Sequence, residues 1–106
     1  MSTPSFLIQI LLPLYDNEGT AFDAQSFGRT RAELIAKFGG LTAHLRAPAR
    51  GLWKTEDGAI ERDDVAIFEV MARTMDEAWW AAYRKTLEER FRQDVVLVRA
   101  IATTML

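Results

Sequence analysis

Phe6-Leu7-Ile8-Gln9-Ile10-Leu11-Leu12 is the stretch on which the fold turns. Apolar residues fill it on both sides, one amide interrupts it, and Pro13 follows. Proline cannot donate to a ladder, so central pairing ends near it. Side chains of a strand alternate between faces. One face therefore carries Phe6, Ile8, Ile10 and Leu12, and the other carries Leu7, Gln9 and Leu11. Two later segments repeat the pattern. Val65-Ala66-Ile67-Phe68-Glu69-Val70-Met71 is the dense part of a strand expected from Ile60 to Ala72. Val95-Val96-Leu97-Val98 is the core of another, expected over Asp94 to Thr103.

Between these strands lie helical periods. Phe27, Leu34, Ile35 and Phe38 recur on one face of a helix expected over Ala24 to Lys37, with Asp23 or Ser26 as its cap. Gly39-Gly40 ends it, because the residue after a helix often takes the left-handed conformation that glycine reaches freely. Trp80, Tyr83, Leu87 and Phe91 form the stripe of a second helix, opened by the capping box Thr74-x-x-Glu77. Leu41 to Arg46 reads as a strand, and Leu52-Trp53-Lys54 before Glu56-Asp57-Gly58 as one arm of a hairpin. Tyr15 to Thr20 reads as a turn-rich loop.

The resulting order is β-α-β-β-α-β, over one domain spanning 1–106. Two split β-α-β units of this kind form a ferredoxin-like α+β fold. Its four-stranded antiparallel sheet has the first and third strands central and two helices on one face. The helices cover the face with no polar residue. The opposite face is mostly apolar as well, yet no element remains to cover it. A bare apolar sheet face of that size marks an interface, so a homodimer through the open face is expected.

Composition narrows the chemistry. The 106 residues are 49% hydrophobic and 26% charged, with a formal charge of −2. That charge argues against an extended phosphate-binding surface, so nucleic acid is not an expected partner. No apolar run is long enough for a membrane span, and no basic segment precedes the first apolar run, so a cytoplasmic location is expected. There is no cysteine and one histidine. Thiolate nucleophiles, disulfides and Cys-based zinc sites are excluded, and neither a metal nor a cofactor is expected. Aromatics are missing from the open face where an RNA-recognition domain stacks bases.

By element order and length the chain resembles the dimeric α+β barrel superfamily, in which two ferredoxin-like subunits oppose their sheets. The steps Phe38-Gly39-Gly40-Leu41-Thr42 and Gly51-Leu52-Trp53 are similar to small bacterial families of unknown function. The superfamily includes cofactor-independent monooxygenases, haem-degrading enzymes and lactone isomerases, so the resemblance implies a fold and leaves activity open.

Gln9, Glu69 and Arg99 are lone polar residues in apolar strands, and alternation sets all three on the open face. They are expected to form a buried polar cluster, with a Glu69–Arg99 ion pair completed by Gln9. Removing one member of such a buried pair costs about 3–5 kcal/mol. His44 is the one imidazole of the chain, lies on an edge strand, and has no partner that spacing can assign. It joins Trp53, Trp79 and Tyr15 as a candidate for lining a ligand pocket. The expected function is a homodimeric binding or structural module with a small apolar pocket under the second helix, taking a small hydrophobic ligand. The alternative is a cofactor-independent monooxygenase or isomerase acting on a small aromatic or a lactone.

Overall fold

The computed structural model describes residues 2–46, 52–54, 60–62 and 65–106, with the backbone alone at 45–46, 52–54 and 60–62. Strand β1 (Thr3–Pro13) is apolar on both faces and takes a central place. It pairs antiparallel with β5 (Val65–Ala72) on one side and β6 (Leu97–Met105) on the other. Strand β2 (Thr42–Arg46) pairs antiparallel with β5, giving the order β2-β5-β1-β6. Helix α1 (Ala24–Phe38) and helix α2 (Glu77–Arg90) complete an α+β fold.

One expected strand is two. Ile60–Arg62 is a separate strand β4, which pairs with β3 (Leu52–Lys54) as a two-stranded ribbon outside the main sheet. The charged step Glu61-Arg62-Asp63-Asp64 explains why the apolar pattern of β5 does not extend back to Ile60. The element order is therefore not strictly β-α-β-β-α-β, since the ribbon sits between β2 and β5. The expected turn at Glu56-Asp57-Gly58 lies outside the described residues.

The core forms where the alternation placed it. Ile8, Ile10, Leu12, Ala66, Phe68, Val70 and Val96 pack with Leu34 of α1 and with Trp80, Tyr83 and Leu87 of α2. Phe91, directly after α2, is fully buried and meets Phe22 and Phe27 edge-on or tilted at 5.5 and 5.1 Å between centroids. Both helices thus feed one cluster on one sheet face. Ile35, expected in the stripe of α1, is 47% exposed. Thr30 takes its share of that face instead and is wholly buried.

Capping chemistry corrects one expectation. Asp23 accepts the Ser26 amide at 2.8 Å and caps α1, while Gly39 ends it at φ 81° with its N–H on Ile35 O. Helix α2 is capped by Asp76, whose carboxylate accepts the Trp79 amide at 3.0 Å. The box from Thr74 is not formed, because Asp76 stands directly before the first helical residue and its oxygen reaches the third. Strand β6 begins at Leu97, later than expected. Val95 is 71% exposed, and Val96 is buried with its amide donated to Glu88 Oε2 at 3.0 Å.

Candidate ligand site on the open sheet face

The face of the sheet away from the helices carries a line of hydrogen-bonded side chains crossing all four strands. Register builds it. Gln9 on β1 stands opposite Glu69 on β5 and opposite Arg99 on β6, while Thr42 of β2 stands opposite Glu69. His44, two residues along β2 on the same face, reaches Glu69 diagonally, a separation that long side chains bridge. His44 Nε2 is 2.6 Å from Glu69 Oε1. Gln9 Nε2 donates to Glu69 Oε2 at 2.7 Å, and Arg99 Nε donates to Gln9 Oε1 at 2.6 Å.

The polarity of the row assigns its protons. Gln9 acts as donor toward the carboxylate and acceptor toward the guanidinium, so its amide has one orientation that satisfies both neighbours. The Gln9 and His44 hydrogen bonds hold the Glu69 carboxyl below its ordinary value. An ionised carboxylate only accepts, so the His44 ring meets it with an N–H on Nε2.

The expected cluster is here in altered form. Glu69 and Arg99 do not touch, because the register sets Gln9 between them. The site is also less buried than the alternation suggested. The Glu69 side chain is 16% exposed, His44 53%, and Arg99 is exposed. Around the row Leu97, Ile101 and Met71 are 49, 45 and 37% exposed, whereas Ile67 is buried.

The four pocket candidates do not converge. His44 belongs to the polar row. Tyr15 bridges Ala21 beyond the Pro13 end of β1 and is 47% exposed. Trp79 lies on the helix side, in a cleft of about 440 Å³ near the Ser5 end of β1, shared with Lys37, Phe38, Arg73 and Trp80. Its ring is already engaged, with Tyr83 stacked on it at 4.8 Å and Lys37 Nζ 4.7 Å from its centroid. Trp53 pairs with Glu61 through its backbone, and its side chain falls outside the described part. A second cleft of about 320 Å³ runs between α2 and β6, lined by Ile8, Trp80, Ala81, Arg84, Val98 and Ala100. It lies where a pocket under the second helix was expected, but Glu77, Arg84 and Arg99 in its lining make it a mixed cleft and not an apolar one.

Periodicity missed a polar clamp between the helices. Arg90, its side chain 9% exposed, donates to Glu33 Oε1 and Oε2 at 2.7 and 3.0 Å and to Thr30 Oγ1 at 2.8 Å. Tyr83 OH donates to Glu33 Oε1 at 2.9 Å. The Arg90 bond, joined by that from Tyr83, holds the Glu33 carboxyl below its usual range, and burial pushes the Tyr83 phenol up. A stripe tyrosine whose hydroxyl needs a partner was the signal that could have found it. No buried side-chain polar atom among the described residues is left without a partner, and the clamp holds α1 to α2.

Among the described residues no helix is long and apolar enough to cross a membrane, and no group of three or more His, Asp or Glu could hold a metal. The fold and the row define a small α+β domain with a polar line on a sheet face against which neither helix packs. A solved phage SAM lyase in complex with S-methyl-5'-thioadenosine is similar to it, with TM-score 0.57 and 13% identity over 95% of this chain and 88% of that chain. At that identity the likeness is one of fold. No family model matches the chain, and no curated protein matches it.

Proposed function

We propose that the chain is a small-molecule-binding module that works as a homodimer, two copies opposing their open sheet faces as in the dimeric α+β barrel superfamily. The observation that carries the reading is the His44–Glu69–Gln9–Arg99 row, hydrogen-bonded across four strands of a face on which neither helix packs. An ordered polar line amid exposed Leu97, Ile101 and Met71 suits a face that is covered in the working assembly.

The row is also self-complementary. A two-fold axis parallel to the strands lays β6 of one copy over β2 of the other, so each guanidinium end faces a carboxylate–imidazole end across the gap in which a ligand would lie. An axis across the strands would set Arg99 against Arg99 and is disfavoured. In the favoured arrangement the ligand lies between the sheets on the polar line. The similar solved structure is a SAM lyase holding S-methyl-5'-thioadenosine, which recommends that compound and SAM as first probes.

Light scattering on the eluting protein, with and without S-methyl-5'-thioadenosine, tests the reading. Twice the chain mass and a raised melting temperature with the probe are expected. A chain that stays monomeric across concentrations, probe present, would overturn it.

A second reading is favoured by the 2.6 Å His44–Glu69 contact. A carboxylate that orients an imidazole is the usual setting of a general base, which is what a cofactor-independent isomerase or monooxygenase needs. Loss of any measured turnover in both His44→Gln and Glu69→Gln, with melting retained, would support it.

A further inference from the structure

We propose that the row selects a small monocarboxylate with an apolar body and seats its carboxylate on Arg99, an assignment that rests on the open face being the ligand site. Arg99 stands exposed on the outer strand β6. Its Nε is committed to Gln9 Oε1 at 2.6 Å, and neither Nη nitrogen has a partner among the described residues. The Nε bond fixes the guanidinium plane at its root and leaves the two-nitrogen end free. That end presents parallel N–H groups at the spacing of two carboxylate oxygens, which a point-charge lysine cannot imitate.

Charge sets the upper limit on the anion. Glu69 lies two strands away in the same row and is held ionised by Gln9 and His44. The chain as a whole carries −2. A dianionic phosphate would meet one cation and one nearby anion, whereas a monoanion balances Arg99 and is less repelled by Glu69. The surroundings set the body of the ligand. Leu97 and Ile101, two residues to either side of Arg99 on the same face, are 49 and 45% exposed. Between opposed sheets they line the gap beside Arg99, which an apolar group attached to the carboxylate would fill and a purely polar anion would not. At the far end of the row, roughly 14 Å away across three strand spacings, His44 lies beyond the reach of a small ligand seated on Arg99.

The test is nitrogen–proton NMR of the whole chain titrated with phenylbutyrate, with its uncharged amide and with phenyl phosphate. The one histidine of the chain gives an unambiguous imidazole signal, and the Arg99 Nε–H reports the anion end. Phenylbutyrate is expected to move the Arg99 Nε–H in a saturable way and to leave the distant imidazole signal in place. The amide, and phenylbutyrate on Arg99→Gln, are expected to bind about tenfold or more weakly, and phenyl phosphate to bind more weakly than the carboxylate. A melt of Arg99→Gln matching wild type shows that the fold is kept. Should that variant not fold, Arg99→Lys keeps the charge without the fork and is expected to lose affinity too. Equal affinity for the amide, an indifferent Arg99→Gln, tighter binding of the phosphate, or no saturable shift would each overturn the assignment. Sedimentation of the same samples separates the two readings. A monomer that binds phenylbutyrate retires the dimer and leaves this assignment; a dimer that ignores it does the reverse.

Discussion

Glu33 and Glu69 are the two carboxylates whose surroundings matter most, and they call for different outcomes. Glu33 accepts two bonds from the nearly buried Arg90 and one from Tyr83, and its carboxyl lies below its ordinary 4.5. A carboxyl with a lowered folded value stabilises the fold fully above its unfolded value, and the gain is lost as pH falls through the folded value. Glu33→Gln is therefore expected to lower stability by about 1–2 kcal/mol at neutral pH, discounted for its partial exposure. It should also flatten the loss of melting temperature below pH 4.5. Urea melts at neutral and acid pH check both; an acid limb as steep as wild type would contradict the clamp. Glu69→Ala removes hydrogen bonds to Gln9 and His44 on a face partly open to water. Its cost is expected to be about 1 kcal/mol in the lone subunit, well under the penalty of a broken buried ion pair, and to rise at concentrations where the dimer covers the row; denaturant melts over a range of concentration read it. Gln9, Glu69 and Arg99 were legible because each is a lone polar residue in a strict alternation. The place of His44 was not, because the stagger between β2 and β5 is set by pairing and leaves no mark in the local pattern.

Elements were most legible where a period runs long. The stripe Trp80, Tyr83, Leu87 and the alternation Ile8, Ile10, Leu12 are both buried as their spacing demands. Their ends were harder to read, because caps compete over a few residues and small differences in reach decide. Thr74 and Asp76 both offer an oxygen before α2, and Asp76 makes the bond. Asp76→Ala is expected to destabilise by about 1 kcal/mol and Thr74→Ala by little. Chemical denaturation of the pair checks this; the reverse ranking would contradict the assigned cap. The split of β4 from β5 could not be foreseen from apolar density alone, since the charged residues between them suit either a solvated strand edge or a break. Phe91 closes α2 at the meeting of both helices and the sheet. Phe91→Ala is expected to cost about 3–5 kcal/mol, as a large side chain lost from a filled core does, measurable in the same denaturation.

At the scale of the whole molecule the sheet is unequal on its two sides. One face is sealed by Leu34, Trp80, Tyr83 and Leu87, while the other shows Leu97, Ile101 and Met71 around a polar row. This inequality was legible in the sequence, because both sides of three strands are apolar and two helices can cover one side. What occupies the second side belongs to association, which a single chain's pattern states as a need without naming the partner. The central claim is that a second copy covers it, with the rows opposed. Sedimentation equilibrium of wild type and of a Leu97→Lys, Ile101→Lys double variant tests this most directly. The account predicts a dimer for wild type and a folded monomer for the variant. A wild-type chain that sediments as a monomer over the accessible range, or a variant that dimerises as tightly as wild type, would contradict it.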